Sequence, residues 1–315
     1  MRSAVLFLVF NRPDTTRRVF EAIRAARPPR LYVAADGPRP GRDAEGALCA
    51  EARAIATAID WPCGLQTLLR EQNLGCKRAV SDAIGWFFEH ETEGIVLEDD
   101  CLPDPSFFAY CDALLERYRD DERVMCISGD NFISALWQPA SSYWFSRCVH
   151  IWGWATWRRA WRHYDVSMAD WRNGGSADLL AKRFPGAPRQ QEHWRQAFDA
   201  VSSGRLDTWD YQWVHACWRA GAYSCMPAHN LVTNIGFGAG ATHTLDAESR
   251  LANLPPRPLP LPLRHPGRVE PVALADRWAA RHVFGVRERL TTAERWREWL
   301  GRGQLRLARF GKPPQ

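Results

Sequence analysis

The chain has 315 residues, a formal net charge of +5, 46% hydrophobic residues and 24% charged residues. That balance belongs to a folded globular protein with a sizeable core, and the mild positive charge is far from a nucleic-acid-binding composition, so no nucleic-acid partner is expected. No apolar run reaches the roughly 18 residues of a spanning helix. The opening "MRSAVLFLVFNRPD" has a short apolar run and no small-residue cleavage site, so it reads as a strand rather than a leader.

The first 130 residues alternate between two periods. "AVLFLVF" is a continuous apolar run suited to a strand buried on both faces. After the breaker "NRPD", Val19, Phe20 and Ile23 recur at helical spacing. "RLYVAAD" is a second strand ending at Asp36 and Gly37, "AEGALCAEARAIATAI" a helix and "LQTLLRE" a third strand. Val80, Ile84 and Phe87 mark one face of the next helix. "GIVLEDD" is a fourth strand, "PSFFAYCDALLERY" a helix and "VMCISG" a fifth strand. Strict alternation predicts crossover units around a mostly parallel sheet, an α/β fold. Ligands of such sheets bind beyond the carboxyl ends of the strands. Asn11, Asp36, Asn73 and the run Glu98, Asp99, Asp100 all fall there.

From about residue 131 the alternation gives way to aromatic, turn-rich sequence. Sixteen tryptophans, many between residues 137 and 218, point to a stacking or sugar-binding surface, although large cores also use Trp. "WGWATWRRAW" reads as a helix entered through Gly153. Residues 251–271 carry "LPPRPLPLPLRHP", whose prolines remove donors and fix φ, so an extended linker or strap is expected. Beyond it, "TTAERWREW" opens with a capping box from Thr291 to Glu294, and the tail is rich in arginine. The expected organisation is a domain over 1–250, in halves 1–130 and 131–250, a Pro-rich linker over 251–271 and a basic helical tail over 272–315. Nine cysteines without a CxxC pair fit reduced thiols and a cytoplasmic setting.

Three adjacent carboxylates repel one another, and a divalent cation whose shell is completed by a diphosphate removes that cost. Glu98, Asp99 and Asp100 at a strand end therefore read as a metal–diphosphate site, against the alternative of a solvated acidic turn.

"FNRP" after the first strand, "DG" after the second, "NLGCKRAVSDAI" before the third helix and "EDD" after the fourth resemble the nucleotide-diphospho-sugar transferases of the GT-A fold. The resemblance is to bacterial family-2-like glycosyltransferases and, more remotely, to the N-acetylglucosaminyltransferase I type. "SGDNF", "WGWATWRRAW", "DTWDYQW" and "NLVTNIGFG" extend it over about residues 4–245. It implies a three-layer α/β fold with a C-terminal helical extension, and a nucleoside-diphosphate sugar donor, with UDP the expected nucleotide. By that likeness Asn11 and Arg12 face the nucleotide and phosphates, and Asp36 accepts from base or ribose. Asn73, Gly75 and Lys77 open a helix whose amides and cation suit a phosphate. Glu98 and Asp99 meet ribose or sugar hydroxyls, and Asp100 binds Mn2+ or Mg2+ with His243 completing the shell. Asp210 is the base that deprotonates the acceptor, although Tyr211 stands where the similar motif keeps a second acid. Trp152, Trp154 and Trp209 line the acceptor or sugar pocket; residues at i and i+2 cannot share one helix face, so one of Trp152 and Trp154 is expected in the core.

Simpler structural roles compete. Asn11 can cap the following helix, Asp36 and Gly37 can form a plain turn, and Asp207 is expected to cap a helix. The acceptor is a saccharide or lipid-linked molecule, and the basic tail can make peripheral membrane contact. The alternatives to a glycosyltransferase are a non-catalytic saccharide- or nucleotide-binding protein and a sugar-phosphate nucleotidyltransferase. The latter should carry a Gly-rich loop after the first strand, which "FNRPDTT" lacks.

Overall fold

The computed structural model describes residues 1–237, 249 and 251–288. In chain order the elements are β1 (Ala4–Val9), α1 (Pro13–Ala26), β2 (Arg30–Ala35), α2 (Asp43–Ala56), β3 (Gly64–Leu69), α3 (Gly75–His90), β4 (Glu93–Glu98), β5 (Cys101–Pro103), α4 (Pro105–Arg117) and β6 (Val124–Ser128). There follow β7 (Tyr143–Ser146), β8 (Trp154–Trp157), α5 (Arg158–Trp161), α6 (Ala169–Arg172), α7 (Leu179–Arg183), α8 (Pro188–Ser202), α9 (Asp210–Arg219), β9 (Tyr223–Pro227), β10 (Val232–Asn234) and α10 (Ala273–His282).

Eight strands form one sheet in the order β3-β2-β1-β4-β8-β6-β9-β7, and β10 pairs with β5 in a small second sheet. The first four sheet neighbours are parallel. β8 enters antiparallel between β4 and β6, while β6 and β9 are again parallel. The sheet is therefore mostly parallel, and helices cover both faces.

β1 shows why its sequence is apolar without alternation. Val5, Phe7 and Val9 pack with α1 and α4 on one face, whereas Ala4, Leu6 and Leu8 pack with α3, α8 and α9 on the other. Each fully buried aliphatic or aromatic side chain contributes about 1.5–3 kcal/mol, so a strand buried on both faces loses stability from a polar residue at any position. α1 takes the pattern of a surface helix, burying Val19, Phe20 and Ile23.

Two expectations are corrected. "WATW" is strand β8, and only the four-residue α5 after it is helical. A strand between β4 and β6 buries all four of its residues, and no amphipathic stripe is needed. Most of the tryptophan surplus is core: Trp154 and Trp161 pack on each other and each on Trp209 and Trp213, and Trp194 and Trp218 meet 4.6 Å apart. All nine cysteines are free thiols.

Residues 251–271 run across the body as a strap. Leu259 N–H donates to Ser106 Oγ at 3.0 Å, and Arg264 N–H to Ser142 Oγ at 2.9 Å. Leu259 is buried in the α1/α4-side core. α10 is anchored through buried Asp276, which accepts from Ser146 Oγ at 2.6 Å and from Arg147 Nη1 at 3.1 Å. The capping box and the remainder of the basic tail lie outside the described residues.

Candidate active site

β1, β2, β3 and β4 are parallel, so their carboxyl ends share one edge. The residues that follow each strand meet there: Phe10, Asn11 and Arg12 after β1, Asp36 after β2, Asn73 after β3, and Glu98, Asp99 and Asp100 at the end of β4.

Arg12 is the hub. Its Nη1 donates to Asp100 Oδ2 at 3.0 Å, and its Nη2 pairs with Asp99 Oδ1. Asp99 Oδ2 also accepts from the Phe10 N–H at 3.2 Å. Burial works to lower the pKa of Arg12, but the charges of Asp99 and Asp100 outweigh it and hold the guanidinium protonated. Burial, then the Asp100 and Asp99 charges, pushes Glu98 well above the carboxylate range, with Asp210 adding to the shift. Burial likewise raises Asp99, against the opposing pull of Arg12.

Two of these three carboxylates are engaged by Arg12, and among the described residues no three His, Cys, Asp or Glu side chains are grouped to hold a metal ion. His243, the histidine expected to complete the metal's shell, lies outside the described residues.

Asn11 does not cap α1, since the helix has no side-chain cap. Its Nδ2 donates to Glu45 Oε1 at 2.9 Å instead. Glu45, held down to a pKa of about 2 by hydrogen bonds from Arg39 that outweigh burial, ties the β1–α1 turn to α2. The Arg39 guanidinium lies 5.6 Å from the centre of the Phe10 ring. Sequence reasoning missed Arg39 and Glu45, because nothing local marks two residues six apart as an ion pair.

Asp36 is occupied by its own chain. Its Oδ1 accepts from the Gly37 and Leu74 N–H groups, both at 2.9 Å, and its Oδ2 from Asn73 Nδ2 at 2.9 Å and the Gly75 N–H at 3.2 Å. The first amides of α3, expected to meet a phosphate, are therefore already on a carboxylate. Lys77 sits in the first turn of that helix and lines neither of the cavities described next.

Two cavities flank the hub. The first, about 400 Å³, is lined by Asn11, Arg12, Asp36, Arg39, Arg70, Asn73, Cys76, Glu98 and Asp99, with Leu8, Val9, Ala34, Ala35 and Val80 as its apolar wall. The second, about 360 Å³, is lined by Asp100, Ile151, Trp152, Leu206, Thr208, Trp209, Asp210, Tyr211 and Asn234. Arg12, Cys76 and Glu98 line both. The first compartment has an aliphatic wall faced by polar and charged groups; the second is walled by aromatics and a carboxylate.

Asp210 opens α9, and its Oδ1 accepts from Thr208 Oγ1 at 2.5 Å and from the Tyr211 N–H at 2.9 Å. Asp207, expected to cap this helix, does not: α9 has no side-chain cap, and Asp207 is an exposed residue at the rim of the first cavity. Trp152 reaches the second cavity and meets Phe132 at 4.9 Å and Phe237 at 5.6 Å, both edge-on. Its backbone N–H donates to Asp130 Oδ2 at 3.3 Å. Trp154 is corrected to a core residue: it is 1% exposed, lines neither cavity and stacks on Trp209 at 5.7 Å. Because β8 is a strand, Trp154 points into the α3/α9-side core. Trp209 does line the second cavity, though only 2% of its surface is exposed.

No family model and no curated protein matches the chain. Among solved structures it overlaps one described as UDP-glucose pyrophosphorylase complexed with UDP-glucose, at 10% identity over 53% of this chain and 80% of the other, with a TM-score of 0.31. A UTP-bound UGPase from Acinetobacter baumannii overlaps at 8% identity, covering 53% and 79%, with a TM-score of 0.32. An apo UDP-glucose pyrophosphorylase overlaps at 10% identity, covering 74% and 93%, with a TM-score of 0.35. Overlaps this slight assign neither family nor activity to the chain.

Proposed function

We propose that the protein is a glycosyltransferase that moves a sugar from a nucleoside-diphosphate sugar, with UDP as the nucleotide, to a saccharide or lipid-linked acceptor. The observation that carries this reading is the pair of cavities meeting at Arg12, Cys76 and Glu98, with Asp210 in the second. The first cavity is the donor compartment and the second the acceptor compartment; the bond to be broken lies where they join.

In this reading Asp210 accepts the proton of the acceptor hydroxyl. The acceptor oxygen attacks the anomeric carbon as the bond to the diphosphate oxygen breaks, inverting that carbon. The electron pair leaves on the diphosphate, next to the Arg12 guanidinium. Thr208 and the Tyr211 amide hold the Asp210 carboxylate toward the cavity. Trp152 offers its face to a sugar ring. A divalent cation, Mn2+ or Mg2+, remains part of the proposal as a companion of the diphosphate at Asp100.

A sugar-phosphate nucleotidyltransferase is the second reading, since it could use the same first cavity. Against it, β1 passes to α1 through Phe10, Asn11 and Arg12 without a glycine-rich loop. One experiment separates the two. The protein is incubated with nucleotide-sugars plus saccharide or lipid-linked acceptors, and separately with UTP plus sugar 1-phosphates, each with and without Mn2+. Release of nucleoside diphosphate that is lost in Asp210→Asn supports the transferase; pyrophosphate release from the second mixture overturns it. Binding of nucleotide or saccharide with turnover in neither mixture assigns a non-catalytic binding protein.

Peripheral membrane contact is proposed for the basic tail over 272–315, of which residues 289–315 lie outside the described residues. Among the described residues, no helix is long and apolar enough to cross a membrane.

A further inference from the structure

The three carboxylates at the end of β4 called for a cation, and the chain supplies one. Asp99 and Asp100 are 3% and 8% exposed. Two adjacent, buried negative charges are costly unless paired. Arg12 answers with its two terminal nitrogens, one to each carboxylate, in the fork geometry that a guanidinium also offers to phosphate oxygens. A divalent cation needs the same carboxylate oxygens.

We infer that Arg12 is the resident counter-cation of this site and competes with a divalent metal for Asp99 and Asp100, so that metal binds strongly only when a nucleoside diphosphate takes over Arg12. This rests on the donor-compartment reading above. Arg12 is placed for such an exchange. It lines both cavities, so its head group stands between the carboxylates and the space proposed for the diphosphate. Its backbone is fixed, because its carbonyl accepts from Thr16 N–H at 3.0 Å and Thr16 Oγ1 at 2.7 Å. Only the side chain has to move. The space around the head group is kept by Gly236, where a Cβ would lie 2.2 Å from Asp100 Oδ2 and 2.6 Å from Arg12 Nη1.

The exchange makes the two ligands thermodynamically linked. Whatever factor the nucleotide adds to metal affinity, the metal adds to nucleotide affinity. A diphosphate also coordinates Mn2+ by itself, so the coupling alone does not single out Arg12; a permanent structural ion pair is distinguished because its loss would open no metal site.

The test titrates Mn2+ alone, followed by electron paramagnetic resonance, and UDP with and without Mn2+, followed by calorimetry. Wild type, Arg12→Gln and Arg12→Lys are compared, with circular dichroism and a thermal melt to establish that each is folded. Wild type is expected to bind Mn2+ at least about tenfold more tightly with UDP present, a typical site-to-site coupling. Arg12→Gln is expected to change the two affinities in opposite directions, binding Mn2+ alone about tenfold or more tightly than wild type and UDP more weakly. Arg12→Lys keeps the charge but loses the fork, and its Mn2+ affinity should fall between; it carries the test if the glutamine variant does not fold. Mn2+ affinity that is unchanged or lower in a folded Arg12 variant overturns the competition. If UDP binds no form, with or without metal, the donor-site reading fails, while the Mn2+ comparison still decides the role of Arg12.

Discussion

The Asp36 carboxylate accepts the Leu74 N–H through both oxygens, at 2.9 and 3.1 Å, and so ties the end of β2 to the start of α3. It does for α3 what a capping side chain does within a helix, but from 38 residues away. Asp36→Ala leaves the Leu74 and Gly75 amides without that partner. A loss of about 1–2 kcal/mol is expected, the scale of a lost N-cap. Urea unfolding checks it, and an unchanged midpoint would show that water replaces the carboxylate at no cost.

Asp210→Asn keeps the shape of the side chain and removes its ability to take a proton. Turnover should fall about 10²-fold or more while UDP affinity stays within about twofold, because Asp210 lines only the second cavity. The measurement is initial-rate kinetics beside calorimetry. A parallel loss of UDP binding would move Asp210 out of the role of base.

Trp152 and Trp154 should separate cleanly. Trp154→Ala empties a fully buried position and is expected to cost about 3–5 kcal/mol of stability. Trp152→Ala should leave the melting temperature nearly unchanged and weaken acceptor binding. Equal destabilisation of both would place Trp152 in the core as well.

Gly94 in β4 lies under the Phe87 ring of α3. A Cβ there would sit 2.3 Å from Phe87 Cζ and 3.1 Å from the Ala4 carbonyl oxygen. Gly94→Ala forces helix and sheet apart and should cost about 1–3 kcal/mol. Pairing it with Phe87→Leu, which frees the space, should recover part of the loss in a double-mutant unfolding series; no recovery would put the strain in the backbone contact.

His215 contributes an acid sensitivity of its own. It is 3% exposed, its Nε2 lies 3.1 Å from Ser176 Oγ, and burial, with Arg219 nearby, pushes its pKa down to about 4. The unfolded chain binds a proton near pH 6.5 and the folded one does not until about pH 4. Stability is therefore complete above about 6.5 and falls as pH drops toward 4, by at most about 3 kcal/mol. Urea midpoints at pH 7 and pH 4.5 should differ less in His215→Gln than in wild type. An equal difference assigns the acid loss to other groups.

The sequence made β1, β2, β4 and β6 legible because strands buried on both faces leave continuous apolar runs. It did not reveal β8, whose environment comes from partners some 30 and 60 residues earlier in the chain. The strand-end placement of Asn11, Asp36, Asn73, Glu98, Asp99 and Asp100 was legible for the same reason as the strands. What each of them touches was not. Arg12 and Asp99 are 87 residues apart and Asp36 and Leu74 38 apart, and no local pattern encodes such a pairing. Cys76, Ile151 and Leu206 went unnoticed as cavity walls because nothing in their types distinguishes lining from core.

The position of β8 also governs the order in which the chain can assemble. β4 reaches the second half of the sheet only through β8. As the protein emerges from the ribosome, β1 to β4 can pair from roughly the first hundred residues. The open edge of β4 then waits for residues 154–157. During that interval it is an unpaired apolar edge, the kind of surface that invites sticking to other chains. Pausing translation before residues 154–157 have left the ribosome should therefore raise the aggregated fraction, whereas pausing once they have emerged should not.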